Sequence, residues 1–287
     1  MRKILFIHGR SQGGKDPVAL KKEWISAFDE GCDKAGIGRA EPSVVSLPYY
    51  GDRLDQLVAA MDAPLSDEIR TRGGLPSDEA YAQFREAVAE EVRKAAGIPD
   101  AEAEQYLSPD ERARGPQNWE WVQAILRAID QRFPGSAARL VERVTRDAWV
   151  YLTAPGVRSV IDDIVRADLT ADETVVVGHS LGSLVGYLVL RHSTLKLNVV
   201  RYVTVGSPLG VQAIRRRLSP LAYPANVGPW YNAYDDRDVV ALRALDSTSF
   251  PITPGITNST HVKNKTDNRH GIIGYLDDPE VAKMIMG

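Results

Sequence analysis

Cysteine is nearly missing from this chain. Cys32 stands alone, so no disulfide can close within the chain, and a reducing compartment fits. An excess of one charge is missing too. Against 35 Lys and Arg stand 38 Asp and Glu, a net charge of −3 that gives no general attraction to nucleic acid or anionic membranes. Long apolar runs are also missing: no segment reaches the roughly 18 residues of a membrane span. The opening MRKILFIHG offers only Ile4 to Ile7 between its basic residues and His8, far short of a signal-peptide core. Internal repeats and low-complexity segments are absent. Together these absences predict a cytoplasmic protein with no nucleic-acid partner and no transmembrane segment.

What is present is ordinary for a globular chain: 287 residues, 44% hydrophobic and 25% charged. A chain of this size buries about 75% of its unfolded surface, enough for a large core. A strand is expected over residues 3–7. The first helix starts with Asp16 as N-cap and Pro17 at its first position, and stops near Gly36. PSVVSLPYYGD, residues 42–52, reads as a second strand and its exit. Residues 53–150 lack strands and are rich in Ala, Glu and Arg. Ser77 caps one helix there that ends at Gly97, and two more, over residues 119–133 and 137–152, are parted by Pro134 and Gly135. Another helix is expected near 157–167. Strands follow near 174–177, 199–205, 230–234 and 260–263, with a last helix near 279–286. Strands alternating with helices predict a three-layer α/β fold, a mainly parallel sheet of about six strands flanked by helices. Residues 1–52 and 151–287 form its core, and 53–150 are a helical insertion.

TVVVGHSLGSLVGYLVL, residues 174–190, carries the chemistry. Its valines fit a strand covered on both faces, and the apolar residues after Gly182 fit a buried helix. Gly-x-Ser-x-Gly alone is weak, since chance supplies it in about one chain in ten of this length. Between a β-branched strand and a helix, however, it has the context of a nucleophile elbow. Ser180 then sits in a strained turn with its hydroxyl exposed, facing the positive end of the next helix. The Leu181 amide is placed to stabilise an oxyanion.

A serine is a poor nucleophile until a base takes its proton. At an elbow, the acid and then the histidine follow the serine in the chain. His270, in the polar loop TDNRHGIIGYL, is favoured as base over His261, which lies in or beside a strand; His192 is a helix-end residue. WYNAYDDRDVVAL offers Asp235, Asp236 and Asp238 as the acid. The acid must be buried to hold the imidazole tautomer. Val239 and Val240 favour Asp238, with Asp236 as the alternative. The second oxyanion donor belongs on the loop HGRSQGG, at the Arg10 amide or alternatively at Ser11. His8 is expected to buttress that loop. Lys15 is followed by Asp16, so GRSQGGKD does not make a Gly-x4-Gly-Lys-Ser/Thr phosphate loop.

FIHGR, VVVGHSLGS, VTVGSPL, DDRDVV and NRHGIIGYL together resemble the α/β-hydrolase superfamily, within its lipase- and esterase-like part. The match spans both ends of the chain but not residues 53–150. It departs from the fuller pattern in its trimmed sheet and in lacking an HGGG oxyanion loop. The resemblance implies a serine hydrolase that cleaves a carboxylic ester or thioester, with an apolar acyl group, through an acyl-enzyme. Ser180 would be nucleophile, His270 base and Asp238 acid, with the Leu181 and Arg10 amides as oxyanion hole and no metal or organic cofactor. It also implies that residues 53–150 form a cap or lid. Tyr49, Tyr50, Trp119, Trp121 and Trp149 could then line the acyl pocket. RLVERVTRDAW sets basic residues beside an apolar stripe, which suits a solvated helix face or contact with anionic lipid. Two alternatives stand beside this reading. One is a lipase or phospholipase acting on membrane lipid, and the other is a hydrolase-fold protein that binds without turnover.

Overall fold

Alternation along the strands decides the architecture. Side chains two residues apart share one face of a strand. Ile4 and Phe6 of the first strand join one apolar cluster, and Leu5 and Ile7 join the other. Val175 and Val177 likewise part from Val176. Burying each such side chain contributes about 1.5–3 kcal/mol, so both faces must be covered. A one-residue slip would exchange the two sets.

The computed structural model describes residues 2–9, 12–62, 78–133 and 135–287. Its strands are β1 Lys3–Ile7, β2 Val45–Ser46, β3 Glu173–His179, β4 Asn198–Val205, β5 Trp230–Ala233 and β6 Thr257–Ser259. They form one parallel sheet in the order β2-β1-β3-β4-β5-β6. The first crossover leaves β1 and returns at the edge, and later strands grow the sheet on the opposite side. The loops after β1 and β3 therefore lie side by side at the carboxyl edge, where ligands meet open α/β sheets.

One face is covered by α1 Pro17–Ala35, α11 Ile273–Leu276 and α12 Pro279–Met286. Trp24 and Phe28 of α1 pack on Phe6, with ring centroids at 5.4 Å and 5.9 Å. The other face carries α8 Pro155–Arg166, α9 Leu181–Arg191 and α10 Gln212–Arg217. Between β2 and β3 run α2 Gly51–Asp62, α3 Asp78–Ala95, α4 Asp100–Glu104, α5 Pro109–Arg114, α6 Asn118–Arg132 and α7 Ala137–Thr153. Val88, Ile125 and Val141 of that block share a cluster with Leu5, Ile7 and Val176 of the sheet. The three-layer α/β fold with a helical insertion is therefore present. Among the described residues, no helix is long and apolar enough to cross a membrane.

Local signals set several boundaries as read. Asp16 accepts from the Ala19 N–H at 2.7 Å, and Gly36 closes α1 at φ 67°. Ser77 lies outside the described residues. Other boundaries move. β2 keeps only two residues, because Pro42–Val44 form a 3₁₀ turn ahead of it. The last strand is Thr257–Ser259 rather than 260–263, set by its pairing with β5.

Candidate active site

The turn between β3 and α9 holds Ser180 at φ 52° and ψ −125°. A non-glycine residue there costs on the order of 1–3 kcal/mol and persists only where its surroundings fix it. They do. The Ser180 N–H donates to Val205 O at 3.2 Å, and its own carbonyl accepts from the Ser183 N–H at 2.9 Å and from the Ser183 hydroxyl at 2.6 Å. Two close approaches demand glycine. A Cβ on Gly182 would strike the Ile7 and His8 carbonyl oxygens, and one on Gly9 would come 2.8 Å from the Ser180 Cβ. The loop after β1 is thereby pressed against the serine. Leu181 opens α9, so its N–H is among those an α-helix leaves without an internal partner. Arg10 and Ser11, the expected second oxyanion positions, lie outside the described residues.

The loop after β5 supplies three aspartates with three different surroundings. Asp238 is fully buried, and one of its oxygens lies 2.7 Å from His270 Nδ1. The Tyr275 hydroxyl donates to the same oxygen at 2.7 Å, and the Val240 N–H to the other at 2.9 Å. Burial, and then the Asp238 charge, hold the Tyr275 hydroxyl well above the ordinary tyrosine range, so it stays a donor. Asp235 is also buried, but it accepts from the Arg237 and Asn264 N–H groups, each at 2.8 Å. It ties two loops together and does not bond His270. Asp236 is exposed, with Arg237 Nε at 3.8 Å.

The chain after β6 is fixed around His270. The Asn264 side chain donates to Gly271 O at 2.8 Å and accepts from the Thr266 N–H at 3.0 Å. The His270 N–H donates to Asn268 Oδ1 at 3.1 Å. With Nδ1 given to Asp238, Nε2 keeps the free lone pair. That nitrogen is buried and has no hydrogen-bond partner among the described residues.

His179 packs beside it, with the two ring centroids 4.8 Å apart. Its Nε2 donates to His270 O at 2.8 Å. Burial, and then the neighbouring His270, hold His179 well below the ordinary histidine range, so it is neutral. His8 is buried as well. It accepts from the Tyr50 N–H at Nε2 (3.1 Å), and its Nδ1 donates to Gly9 O at 2.8 Å. Burial, chiefly, lowers its pKa to about 4.

Ser180, His179 and His270 line a cavity of 330 Å³. Asn268 lies beside them, and the far wall is the start of α7 with Arg139, Leu140, Arg143 and Val144. Ser180 as a whole is only 2% exposed, less open than its turn suggested, and the cavity is its outlet. The arrangement can pass a proton from a hydroxyl in the cavity to a nitrogen whose partner ring atom is fixed on a carboxylate. Among the described residues, no group of three or more His, Cys, Asp or Glu side chains could hold a metal ion.

The chain matches no protein-family model, and no curated protein matches it.

Of the residues singled out in the sequence, Ser180, Leu181, Asp238 and His270 come together. The aromatic candidates do not line the cavity. Tyr50 is fully buried, its ring stacked on His8 with centroids 3.9 Å apart. Tyr49 is half-buried and donates to Gln12 O at 2.6 Å. Trp119 is exposed, Trp121 donates to Glu90 at 2.6 Å, and Trp149 packs on Phe84. His261 is exposed and His192 sits at the end of α9. Four residues at the site escaped the sequence reading. His179 and Tyr275 stood inside quoted motifs, and only the fold shows what they touch. The arginines of RLVERVTRDAW read as a solvated or lipid-facing stripe; Arg139 and Arg143 are solvent-exposed, and both also line the cavity.

Proposed function

We propose that the protein is a serine hydrolase of the α/β-hydrolase kind, cleaving a carboxylic ester or thioester through an acyl-enzyme. One observation carries the reading: a buried His270, bonded at Nδ1 to Asp238 at 2.7 Å and unpartnered at Nε2 among the described residues, lines the same cavity as a strained serine. Ser180 attacks the substrate carbonyl while His270 Nε2 takes its proton. Negative charge on the carbonyl oxygen is met by the Leu181 N–H and by an amide of the loop after β1, for which Arg10 remains the candidate. The tetrahedral adduct collapses, the leaving alcohol or thiol departs with the proton from His270, and Ser180 is left acylated. Water then enters, gives its proton to His270 and releases the acid. Leu140 and Val144 give the cavity an apolar strip for the expected apolar acyl group. Its volume of 330 Å³ is at the small end of ligand pockets, about 300–1,000 Å³, which favours short acyl chains over long lipid tails.

The test is a p-nitrophenyl ester series from acetate to palmitate. Wild type should turn over the short members. Ser180→Ala and His270→Ala should each abolish turnover. A wild type inactive on every ester, or activity that survives in Ser180→Ala, would overturn the proposal.

A further inference from the structure

The far wall of the cavity carries two solvent-exposed arginines with no carboxylate partner among the described residues. Arg139 and Arg143 lie one turn apart on α7 and both line the cavity. The neighbouring Glu142 is engaged with Arg85 at 2.6 Å. Neither Arg139 nor Arg143 has an ion pair or hydrogen bond with a described residue. No carboxylate lines the cavity among the described residues. Like charges at i and i+4 repel weakly on a helix surface, and an anion between the two guanidiniums would relieve that repulsion. A guanidinium fork also matches a carboxylate or phosphate in geometry, which two such forks can grip together. The cavity further meets the positive N-terminal end of α7 through Gly135 and Ser136. Asp130 already accepts the Ala138 N–H there at 2.8 Å, so the guanidiniums are the recognising groups.

The geometry points to a substrate that carries an anionic group, a carboxylate or phosphate, held by Arg139 and Arg143 while its ester or thioester carbonyl lies at Ser180. This rests on the hydrolase reading and adds the substrate class to it. Leu140 and Val144 each follow one of the arginines in sequence and line the same wall, so a short apolar stretch of substrate has a place beside the anion. The anion could come from a soluble ester or from a lipid headgroup.

The test compares three esters matched in size. They are neutral p-nitrophenyl butyrate, mono-p-nitrophenyl glutarate with the anion on the acyl side, and 4-butyryloxybenzoate with it on the leaving group. Wild type should prefer at least one anionic ester by tenfold or more in kcat/KM. Arg139→Gln/Arg143→Gln should erase that preference through KM, and Arg139→Lys/Arg143→Lys should keep part of it. Competition by phosphatidylglycerol vesicles, lost in the Gln pair, would assign the anion to a lipid; no competition would assign it to a soluble ester. A wild type that prefers the neutral ester, or a Gln pair that loses all three equally, overturns the inference and leaves the hydrolase standing. A wild type that turns over none of them and resists a fluorophosphonate probe at Ser180 removes the hydrolase reading, and this inference with it.

Discussion

The loops after β1 and β6 each set a buried histidine near Ser180, and the two rings differ in what holds Nδ1. For His8 it is a backbone carbonyl at 2.8 Å, and for His270 a carboxylate at 2.7 Å. His8 spends its other nitrogen on the Tyr50 N–H, so both of its ring positions are consumed by structure. His270 lines the cavity and keeps Nε2 without a hydrogen-bond partner among the described residues. A carbonyl partner with burial makes a neutral strut. A carboxylate partner steadies the imidazolium that a base becomes after it takes a proton. Residue type and depth do not distinguish the two; the second partner does.

The sharpest break of that contrast is to remove the unpartnered His270 imidazole nitrogen or the Ser180 hydroxyl, whose residues line the same cavity. His270→Ala or Ser180→Ala should lower kcat for a short ester on the order of 10⁴–10⁶-fold, read by p-nitrophenolate release. Asp238→Asn should cost about 10³–10⁴-fold, because an amide can fix the wrong tautomer on His270. An effect below tenfold would remove Asp238 from its role.

His8 should reveal itself in stability instead. Its folded pKa of about 4 lies below the unfolded value near 6.5, so the unfolded chain binds the extra proton. Stability is therefore full above about pH 7 and falls as pH drops through that window, by about 2 kcal/mol between pH 7.5 and 5 from this residue. Buried, neutral His179 acts in the same direction. Urea midpoints for wild type and His8→Gln should show a shallower pH dependence in the variant.

Tyr275→Phe removes one donor from the Asp238 carboxylate and leaves the ring in place. A hydrogen bond to a charged group is worth about 1.5 kcal/mol or more, so kcat should fall roughly tenfold with little change in KM. The smallest effect belongs to Asp236→Asn. Its side chain is exposed and away from His270, so kcat/KM should stay within about twofold of wild type.

How much of this the sequence carried depended on the range of the signal. β3, the serine turn and the caps of α1 were legible because valine runs, glycine spacing and Asp16-Pro17 act over a few residues. β6 was misplaced because its position follows from pairing with β5 and from the Asn258 side chain, which holds the Leu245 N–H and carbonyl. Nothing periodic marks that segment. Asp238 was favoured for its valine neighbours, and the structure adds the reason those neighbours matter: the Val240 N–H grips the carboxylate. The cavity wall was illegible because the start of α7 meets the loop after β6 across the fold, with Gly135 packed on Asp267 and Asn268. The aromatics carry no local mark that separates a stacked strut such as Tyr50 from a pocket wall.

The most direct measurement is covalent. The wild-type protein would be incubated with a fluorophosphonate probe, digested and mapped by mass spectrometry, with His270→Ala treated alongside. Stoichiometric label on Ser180 in the wild type and its loss in His270→Ala is the expected result. A folded wild type that takes no label, or label on Ser180 at equal rate without His270, would contradict the assignment of His270 as the base of an activated serine.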